Sequence, residues 1–372
     1  MQHFDIVIIG GGFVGAASAL ALANPSVKIA VVDATALHRH DARLFALSDH
    51  SCALLQRLQL WSTLMPHATA IRDIHVSYQR HFGALRLKHS KNLGYVIPAA
   101  VVEAALQEAL QAQTAVTLYR PAQLIALMQN HDQCHLTIKS DAGTLLLTAN
   151  TVIAADGTQS TVRALLGIET TTKDYGQIAL VTRTQLARSH AHIAYERFLA
   201  DGGAIAMLPL LQDECATIWT GPHAKISTLL SLSDQDFIAQ LQAHFGYRLG
   251  RLLRVGMRHH YPLTFVYASD SVKGNVILIG NAAHTLHPIA AQGLNLALHE
   301  VEMLAKGLSK GQSLATIHQT MQPQIKASLK ASDGIARLFE GKSRVLSHLL
   351  PLGIVGLDLV TPLKRRVLSK LS

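Results

Sequence analysis

Three glycines near the start of the chain have the spacing of a phosphate-binding turn. Gly10, Gly12 and Gly15 follow the apolar run Phe4–Ile9 and open a small-residue helical stretch, and Asp33 ends the next apolar run. Glycines permit a tight turn and a close approach of the backbone to a pyrophosphate, whose charge the helix N-terminus stabilises. A carboxylate at the second strand end would accept hydrogen bonds from ribose hydroxyls. A turn kept only for packing does not explain Asp33, so the sequence predicts a dinucleotide site.

A second segment that leads from a strand into the N-terminus of a helix lies far along the chain, in "GNAAHTLHPIAAQGLNLALHE" (280–300). Strand–helix connections usually take two to six residues, whereas this one runs from Gly280 to Gln292. A helix that begins near Gln292 would aim the backbone N–H groups of Gly293, Leu294 and Asn295 at a ligand that carries negative charge.

The two glycine-bearing helix starts together favour FAD over NAD. The first motif leaves both cofactors open, but an NAD site needs no second helix start so late in the chain. The isoalloxazine ring of FAD must be held far from its adenosine, and the late helix could stabilise charge at the flavin N1/O2 edge. In this interpretation Asn281 hydrogen-bonds ribityl or phosphate oxygens, and Pro288 stiffens the crossing beside the ring.

Length and composition are those of a globular protein with more than one domain. The 372 residues are 49% hydrophobic and 15% charged. The sequence has no run of eighteen uncharged apolar residues, which is the length that a membrane span requires. The three cysteines have no CxxC spacing, which argues against a disulfide scaffold and against thiolate metal sites. The twenty-one histidines form close pairs without a third ligand at metal-binding spacing, and we expect no metal: His38 and His40, His259 and His260, His284 and His287.

The formal net charge of +9 is concentrated in part at the end of the chain. Residues 339–372 hold six Lys or Arg against two acidic residues, a net +4. No nucleic-acid-binding pattern accompanies this charge, so no nucleic-acid partner is expected. An anionic lipid surface and simple solubility both remain open as the reason for the basic tail.

Hydrophobic periodicity divides the chain into two folded parts and a tail. A strand–helix–strand start covers 4–33, and further strands are expected at 116–119, 135–139, 144–148 and 151–157. Successive β-like runs from 175 to 221 favour a mostly antiparallel sheet, and Ser233 could cap a helix with Phe237 and Leu241 on its apolar side. We expect an α/β protein with a Rossmann-like FAD-binding domain (1–74, 98–174 and 266–330), an inserted, mostly antiparallel β substrate domain (75–97 and 175–265) and a helical C-terminal tail (331–372).

Three motifs in this order resemble the aromatic-hydroxylase class of FAD monooxygenases, which has the para-hydroxybenzoate hydroxylase fold. They are "GGGFVG" (10–15), "IAADGTQSTVR" (153–163) and "GNAAHTLHP…QGLN" (280–295), and "RLFALS" (43–48) matches the stretch whose arginine meets FAD in that class. The resemblance implies that Asp156 lies near the pyrophosphate and the nicotinamide access route, with Arg163 supporting it. The candidate cofactor-binding residues are Gly10, Gly12, Phe13, Val14, Gly15, Asp33, Arg43, Asp156, Gly280, Asn281, Pro288, Gly293, Leu294 and Asn295.

Within this class the chain is most similar to the ubiquinone-biosynthesis hydroxylases, in particular the 2-polyprenyl-6-methoxyphenol hydroxylases. The similarity covers nearly the whole chain, for example "AYERFLADGGAIAMLPL" (194–210), and Gly280-Asn281 is typical of this group where the wider class has Gly-Asp. Two positions depart from the pattern. Ala291 replaces a usual glycine, and "GYVIPAA" (94–100) lacks a polar pair, so we assign no cofactor contact in that stretch.

The resemblance implies an FAD-dependent monooxygenase that hydroxylates a polyprenyl (methoxy)phenol, with NAD(P)H as transient electron donor and dioxygen, through a C(4a)-hydroperoxyflavin. His259, Tyr261 and Tyr195 could help to deprotonate a phenol, but we assign no catalytic base. The alternatives are a flavin-dependent reductase or oxidase of a prenyl lipid and a non-catalytic FAD-binding subunit of a quinone-biosynthesis complex. We expect a cytoplasmic protein, with the inner membrane face and other quinone-biosynthesis enzymes as further partners.

Overall fold

The computed structural model describes residues 1–35, 41–81, 84–88, 91–287 and 292–338. Within these ranges the helices are α1 (Phe13–Leu22), α2 (Asp49–Arg57), α3 (Trp61–Leu64), α4 (Ala99–Ala112), α5 (Thr161–Leu165), α6 (His223–Ser231), α7 (Asp234–Phe245), α8 (Gln292–Ser309) and α9 (Leu314–Leu338). None of the helices in the described part of the chain is long and apolar enough to cross a membrane.

The first sheet is built around a parallel core. Its strands are β1 (Gln2–Ile9), β2 (Ile29–Val32), β8 (Val116–Tyr119), β9 (Ala122–Gln129), β10 (Cys134–Ser140), β11 (Gly143–Ala154), β18 (Val272–Lys273) and β19 (Val276–Leu278). The order β19-β11-β1-β2-β8 is parallel throughout, and the central strand β1 is buried. Helices α1, α4 and α8 contribute to the apolar core around this sheet, which is the arrangement of a Rossmann-like domain.

Two small sequence predictions change at β11. The runs at 144–148 and 151–157 were predicted as separate strands, but they form one continuous strand that ends at Ala154. The strand is continuous because Leu147 pairs with Leu136 of β10 on one side and Gln2 of β1 on the other. Helix α1 lies within the strand–helix–strand start predicted at 4–33, and Gly12 and Ala23 cap its two ends.

The second sheet is mostly antiparallel, as the sequence predicted. Its strands are β5 (Asp73–Tyr78), β6 (Ala84–Lys88), β12 (Thr170–Leu186), β13 (Ile193–Phe198), β14 (Ala204–Pro209), β15 (Glu214–Pro222), β16 (Leu252–Val255), β17 (His259–Ala268) and β20 (His284–Thr285). The pair β13–β5 is parallel. Most strands of the second sheet lie in or next to the residue ranges predicted for the substrate domain. The exact boundaries of that domain stay a prediction.

The two faces of the second sheet have different neighbours. The outer face packs through Trp219 and Tyr195 against Phe237 and Phe245 of α7, and Ser233 caps that helix by accepting from the Asp236 N–H, as predicted. The inner face packs against the small sheet, which consists of β3 (Leu44–Leu47), β4 (Thr69–Ile71) and β7 (Gly94–Pro98). The inner face therefore points toward the segment that follows Arg43.

The predicted tail falls mainly beyond these elements. Helix α9 covers its first residues and ends at Leu338, while 339–372 lie outside the described residues. The basic cluster in the tail is among the residues outside the described ranges.

Candidate cofactor site

The carboxyl ends of five parallel strands meet at one edge of the first sheet. The residues that follow them are Gly10 after β1, Asp33 after β2, Arg120 after β8, Ala155 after β11 and Ile279 after β19. Backbone hydrogen bonds connect neighbouring ends, with Gly10 N donating to Val32 O (2.8 Å) and Ala155 N to Ile9 O (2.8 Å). In open α/β sheets this edge is where ligands bind.

The glycine turn has one crowded side and one open side. Gly10 has φ +97°, and a Cβ there would lie 2.5 Å from Ala155 O. A Cβ on Gly15 would lie 1.8 Å from Gly10 O, so the start of α1 must stay close to the turn. Gly12 is different, because among the described residues no heavy atom lies within 4 Å of its Cβ position and no side chain caps α1 there. The helix N-terminus therefore faces open space at Gly12.

Asp33 is held by residues that the sequence analysis missed. Arg120 Nη2 lies 2.8 Å from Asp33 Oδ2, and Arg120 Nη1 donates to Gln107 Oε1 at 2.6 Å. Gln107 Nε2 in turn donates to Gly11 O at 2.7 Å, which links this network to the glycine turn. The other carboxylate oxygen of Asp33 accepts from Thr35. The one signal available in the sequence was the position of Arg120 directly after a parallel strand.

The Asp-Gly loop after β11 has an unsatisfied acceptor. Asp156 Oδ2 accepts from Val162 N at 3.1 Å, whereas Asp156 Oδ1 is buried and has no partner among the described residues. Arg163 supports the loop by donating to Thr158 O (2.7 Å) and to Ala282 O (2.8 Å). Arg163 therefore ties the Asp-Gly loop to the second glycine motif.

Gly280 sits between the two helices that the sequence predicted to face the cofactor. It has φ +57°, and a Cβ there would lie 3.1 Å from Val14 Cγ2 and 3.4 Å from Ala297 Cβ. Its N–H donates to Glu300 Oε2 at 2.9 Å, and Glu300 Oε1 lies 2.8 Å from His284 Nε2. Asn281, the next residue, is exposed.

The start of α8 is fixed by a side chain that was predicted to contribute only its backbone. Asn295 Oδ1 accepts from Ser48 N (2.9 Å) and Ser51 Oγ (2.7 Å), and its Nδ2 donates to Ala46 O (2.9 Å). Asn295 thereby docks α8 onto the junction of β3 and α2. Gly293 and Leu294 are half-buried, and a Cβ on Gly293 would meet no atom of the described residues within 4 Å.

Two of the remaining predicted residues, Phe13 and Arg43, contact Phe45. Phe13 packs edge-on against Phe45, with ring centroids 4.9 Å apart. Arg43 is half-exposed, pairs with Asp41 at 2.6 Å and has its guanidinium 5.7 Å from the Phe45 ring centroid. Pro288 was also predicted to contact the cofactor, but it lies outside the described residues.

Histidines gather at one place that the sequence did not indicate. His50, His299 and Glu302 have potential ligand atoms within 4.8 Å of one another. Arg57 and Lys306 both contact the Glu302 carboxylate, at 2.7 and 2.5 Å, so its negative charge is already balanced. We interpret this group as an ion-pair network between α2 and α8 and assign no metal to it.

The residues present fit a bound FAD. The open N-terminus of α1 at Gly12 suits a pyrophosphate, and the buried, unpartnered Asp156 Oδ1 requires a donor that a ligand can supply. Helix α8, whose first turn contains Gly293, packs beside the same region, since a Cβ on Gly280 would lie 3.4 Å from Ala297 Cβ. Two helix N-termini beside one strand edge match a long ligand with anionic groups at separate points.

Comparisons with known proteins agree with this geometry. Residues 3–320 match the FAD-binding domain family, described as "FAD binding domain". The ubiquinone hydroxylase UbiL of Rhodospirillum rubrum is 32% identical over 97% of this chain and 87% of its own length. The 3-demethoxyubiquinol 3-hydroxylase of Escherichia coli is 32% identical over 84% of this chain and 81% of its own. The crystal structure of p-nitrophenol 4-monooxygenase PnpA from Pseudomonas putida superposes with a TM-score of 0.81 at 18% identity, covering 100% of this chain and 98% of that one.

The chain belongs to the FAD-binding domain family. It is a flavin-dependent monooxygenase of the group that contains the ubiquinone-biosynthesis hydroxylases, which confirms the resemblance found in the sequence. The prediction of FAD as cofactor is likewise confirmed. The individual cofactor contacts stay predictions.

Gly12→Val tests the open side of the glycine turn. Its side chain would occupy the space predicted for the pyrophosphate, and the N-cap change itself costs only about 1 kcal/mol. We expect apoprotein that unfolds close to the parent's temperature but retains at least tenfold less FAD, measured by thermal melts and flavin absorbance.

Gly15→Ala is the matched control, because its Cβ would clash with Gly10 O. It should destabilise the apoprotein itself. A Gly12→Val protein that keeps the parent's flavin content would contradict the assignment.

The buried pair of His284 and Glu300 predicts a pH dependence of stability. Burial disfavours the imidazolium, but the charge and hydrogen bond of Glu300 outweigh this and raise the pKa of His284 above 6.5. The pair therefore contributes its full stability below about pH 6.5 and loses it as pH rises through the raised pKa. The difference in unfolding free energy between parent and His284→Gln should shrink from pH 6 to pH 9 in urea titrations.

The exposed His223 supplies the control, since His223→Gln should give a small difference at every pH. If the difference in unfolding free energy between the parent and His284→Gln grows with pH, the pair is not stabilised in its charged form.

Proposed function

We propose that this protein hydroxylates the ring of a polyprenyl (methoxy)phenol in ubiquinone biosynthesis. The observation that carries the proposal is the overlap of two features: an edge that fits FAD, and near-full-length similarity to hydroxylases whose names specify ubiquinone and demethoxyubiquinol. The bound FAD, reduced by NAD(P)H, would supply the activation of dioxygen.

The proposed roles of the chain's own residues are binding and orientation. We propose Gly10, Gly12, Phe13, Val14 and Gly15 for the pyrophosphate, with Asp33 for the ribose and Asp156 beside the phosphates. The backbone N–H groups of Gly293, Leu294 and Asn295 would stabilise negative charge on the flavin ring, and Gly280, Asn281, Pro288 and Arg43 would complete the contacts.

The chemistry of the ring substrate follows from its substituents. In a methoxyphenol the hydroxyl donates electron density, so the position para to it is the most reactive toward an electrophilic oxygen. Hydroxylation there yields a 1,4-quinol. The inner face of the second sheet is apolar and would exclude water from the reacting atoms of a ring bound against it.

Substrate-dependent turnover tests this function. Purified flavin-loaded protein should oxidise NAD(P)H faster when a short-chain prenyl methoxyphenol is added, and mass spectrometry should detect a product heavier by one oxygen atom. The gene should also restore hydroxylated product in a quinone-deficient strain. Stimulated NAD(P)H oxidation without oxygen in the product would favour a reductase or oxidase, and no stimulation would favour a non-catalytic subunit.

We further propose that the protein collects its substrate at an anionic membrane surface, where other quinone-biosynthesis enzymes would also work. A polyprenyl phenol partitions into the bilayer, and "LLPLGIVGLDLVTPLKRR" (349–366) joins apolar residues to a basic cluster. Each Lys or Arg near anionic lipid contributes about 1 kcal/mol to binding.

Replacing Lys364, Arg365 and Arg366 with Gln tests the membrane proposal. We expect weaker and less salt-sensitive sedimentation with anionic vesicles at unchanged FAD content. The matched control removes the same charge from the exposed Lys310, Lys326 and Lys330 of the α8–α9 region. Equal binding by the tail variant and the parent would contradict the proposal.

A further inference from the structure

Glu196 is a carboxyl group in an apolar setting without a protein partner. It lies in β13, where the alternation of the strand places it on the same face as Ala194 and Phe198. By register its cross-strand neighbours are Val76 of β5 and Ala206 of β14. No described residue forms a hydrogen bond or ion pair with its carboxyl group, although the residue is half-buried.

The face that carries Glu196 is the inner face of the second sheet. Ala194, on the same side of the strand, packs in one cluster with Leu44 and Ala46 of the small sheet. The alternate residue Tyr195 points the other way and packs against Phe245 of α7. Because Ala46 O also accepts from Asn295 at the start of α8, strand β3 connects this face of the second sheet to the start of α8.

The protein surrounds Glu196 only in part. Its side chain keeps part of its accessible surface, yet burial raises the pKa of the carboxyl group above its usual range. A partly accessible carboxyl group without a described partner is free to form a hydrogen bond with a ligand. The neighbouring Arg197 does not neutralise it, because Arg197 lies on the other side of the strand and donates to His244 O at 2.9 Å.

We propose that the Glu196 carboxyl group forms a hydrogen bond with the phenol hydroxyl of the ring substrate and so orients the ring against this face of the sheet. The proposal rests on the proposed hydroxylase function and adds a residue to it. An acceptor at the hydroxyl also increases electron density on the phenol oxygen, which raises the reactivity of the para position. The apolar neighbours Val76, Ala206 and Phe198 would surround the ring itself.

A comparison of two ligands with two proteins isolates this contact. The ligands are a short-chain prenyl 2-methoxyphenol and its O-methyl ether, which lacks the hydroxyl proton. Their dissociation constants are measured from changes in flavin absorbance, using protein samples of equal FAD content. We expect the parent to prefer the phenol by about ten- to a hundredfold, as for a hydrogen bond to a charged group.

Glu196→Leu should reduce the preference for the phenol over the ether to within about threefold. Leucine cannot form the hydrogen bond that distinguishes the two ligands, and their other contacts are the same. Glu196→Gln retains a hydrogen-bonding group of the same shape and should keep an intermediate preference. Asp201→Leu is the control, because it removes an exposed carboxylate from the β13–β14 connection, where Asp201 pairs with Lys225 at 2.7 Å. It should behave like the parent.

The outcomes separate this inference from the function on which it rests. A parent that binds neither ligand and shows no phenol-stimulated NAD(P)H oxidation would overturn both. A parent that binds and hydroxylates the phenol, with Glu196→Leu or Glu196→Gln keeping its full preference over the ether, would overturn the role of Glu196 alone.

Discussion

The site depends on one constraint, which is the close approach of three backbone segments at one edge of the first sheet. Gly10, Gly15 and Ala155 come so near to one another that a Cβ on either glycine would overlap a carbonyl oxygen. This contact holds the N-terminus of α1 against the end of β11. It thereby places the Asp-Gly loop beside the glycine turn, where we propose that both face the same ligand.

A second consequence is that the site combines segments from the whole chain. Asn295 fixes the start of α8 to the junction after β3, and Glu300 holds Gly280 from the same helix. The small sheet then joins this edge to the inner face of the second sheet. The first and second sheets are consequently connected by packed elements.

Local sequence patterns predicted much of this arrangement. The spacing of Gly10, Gly12 and Gly15 and the helix cap at Ser233 are short-range features, and each needs only a few neighbouring residues. The network of Arg120 and Gln107 and the partners of Asn295 could not be predicted, because they depend on strand and helix registers between distant segments. The two runs of β11 were separated for the same reason, since only its partners β10 and β1 show that the strand continues.

A crystal structure of the flavin-loaded protein tests the central claim most directly. The account predicts that the FAD phosphates lie against Gly12 at the N-terminus of α1, with a donor supplied to Asp156 Oδ1. It also predicts that the N1 edge of the isoalloxazine ring faces the backbone N–H groups of Gly293–Asn295. A flavin whose ring lies away from the start of α8, or whose phosphates avoid Gly12, would contradict it.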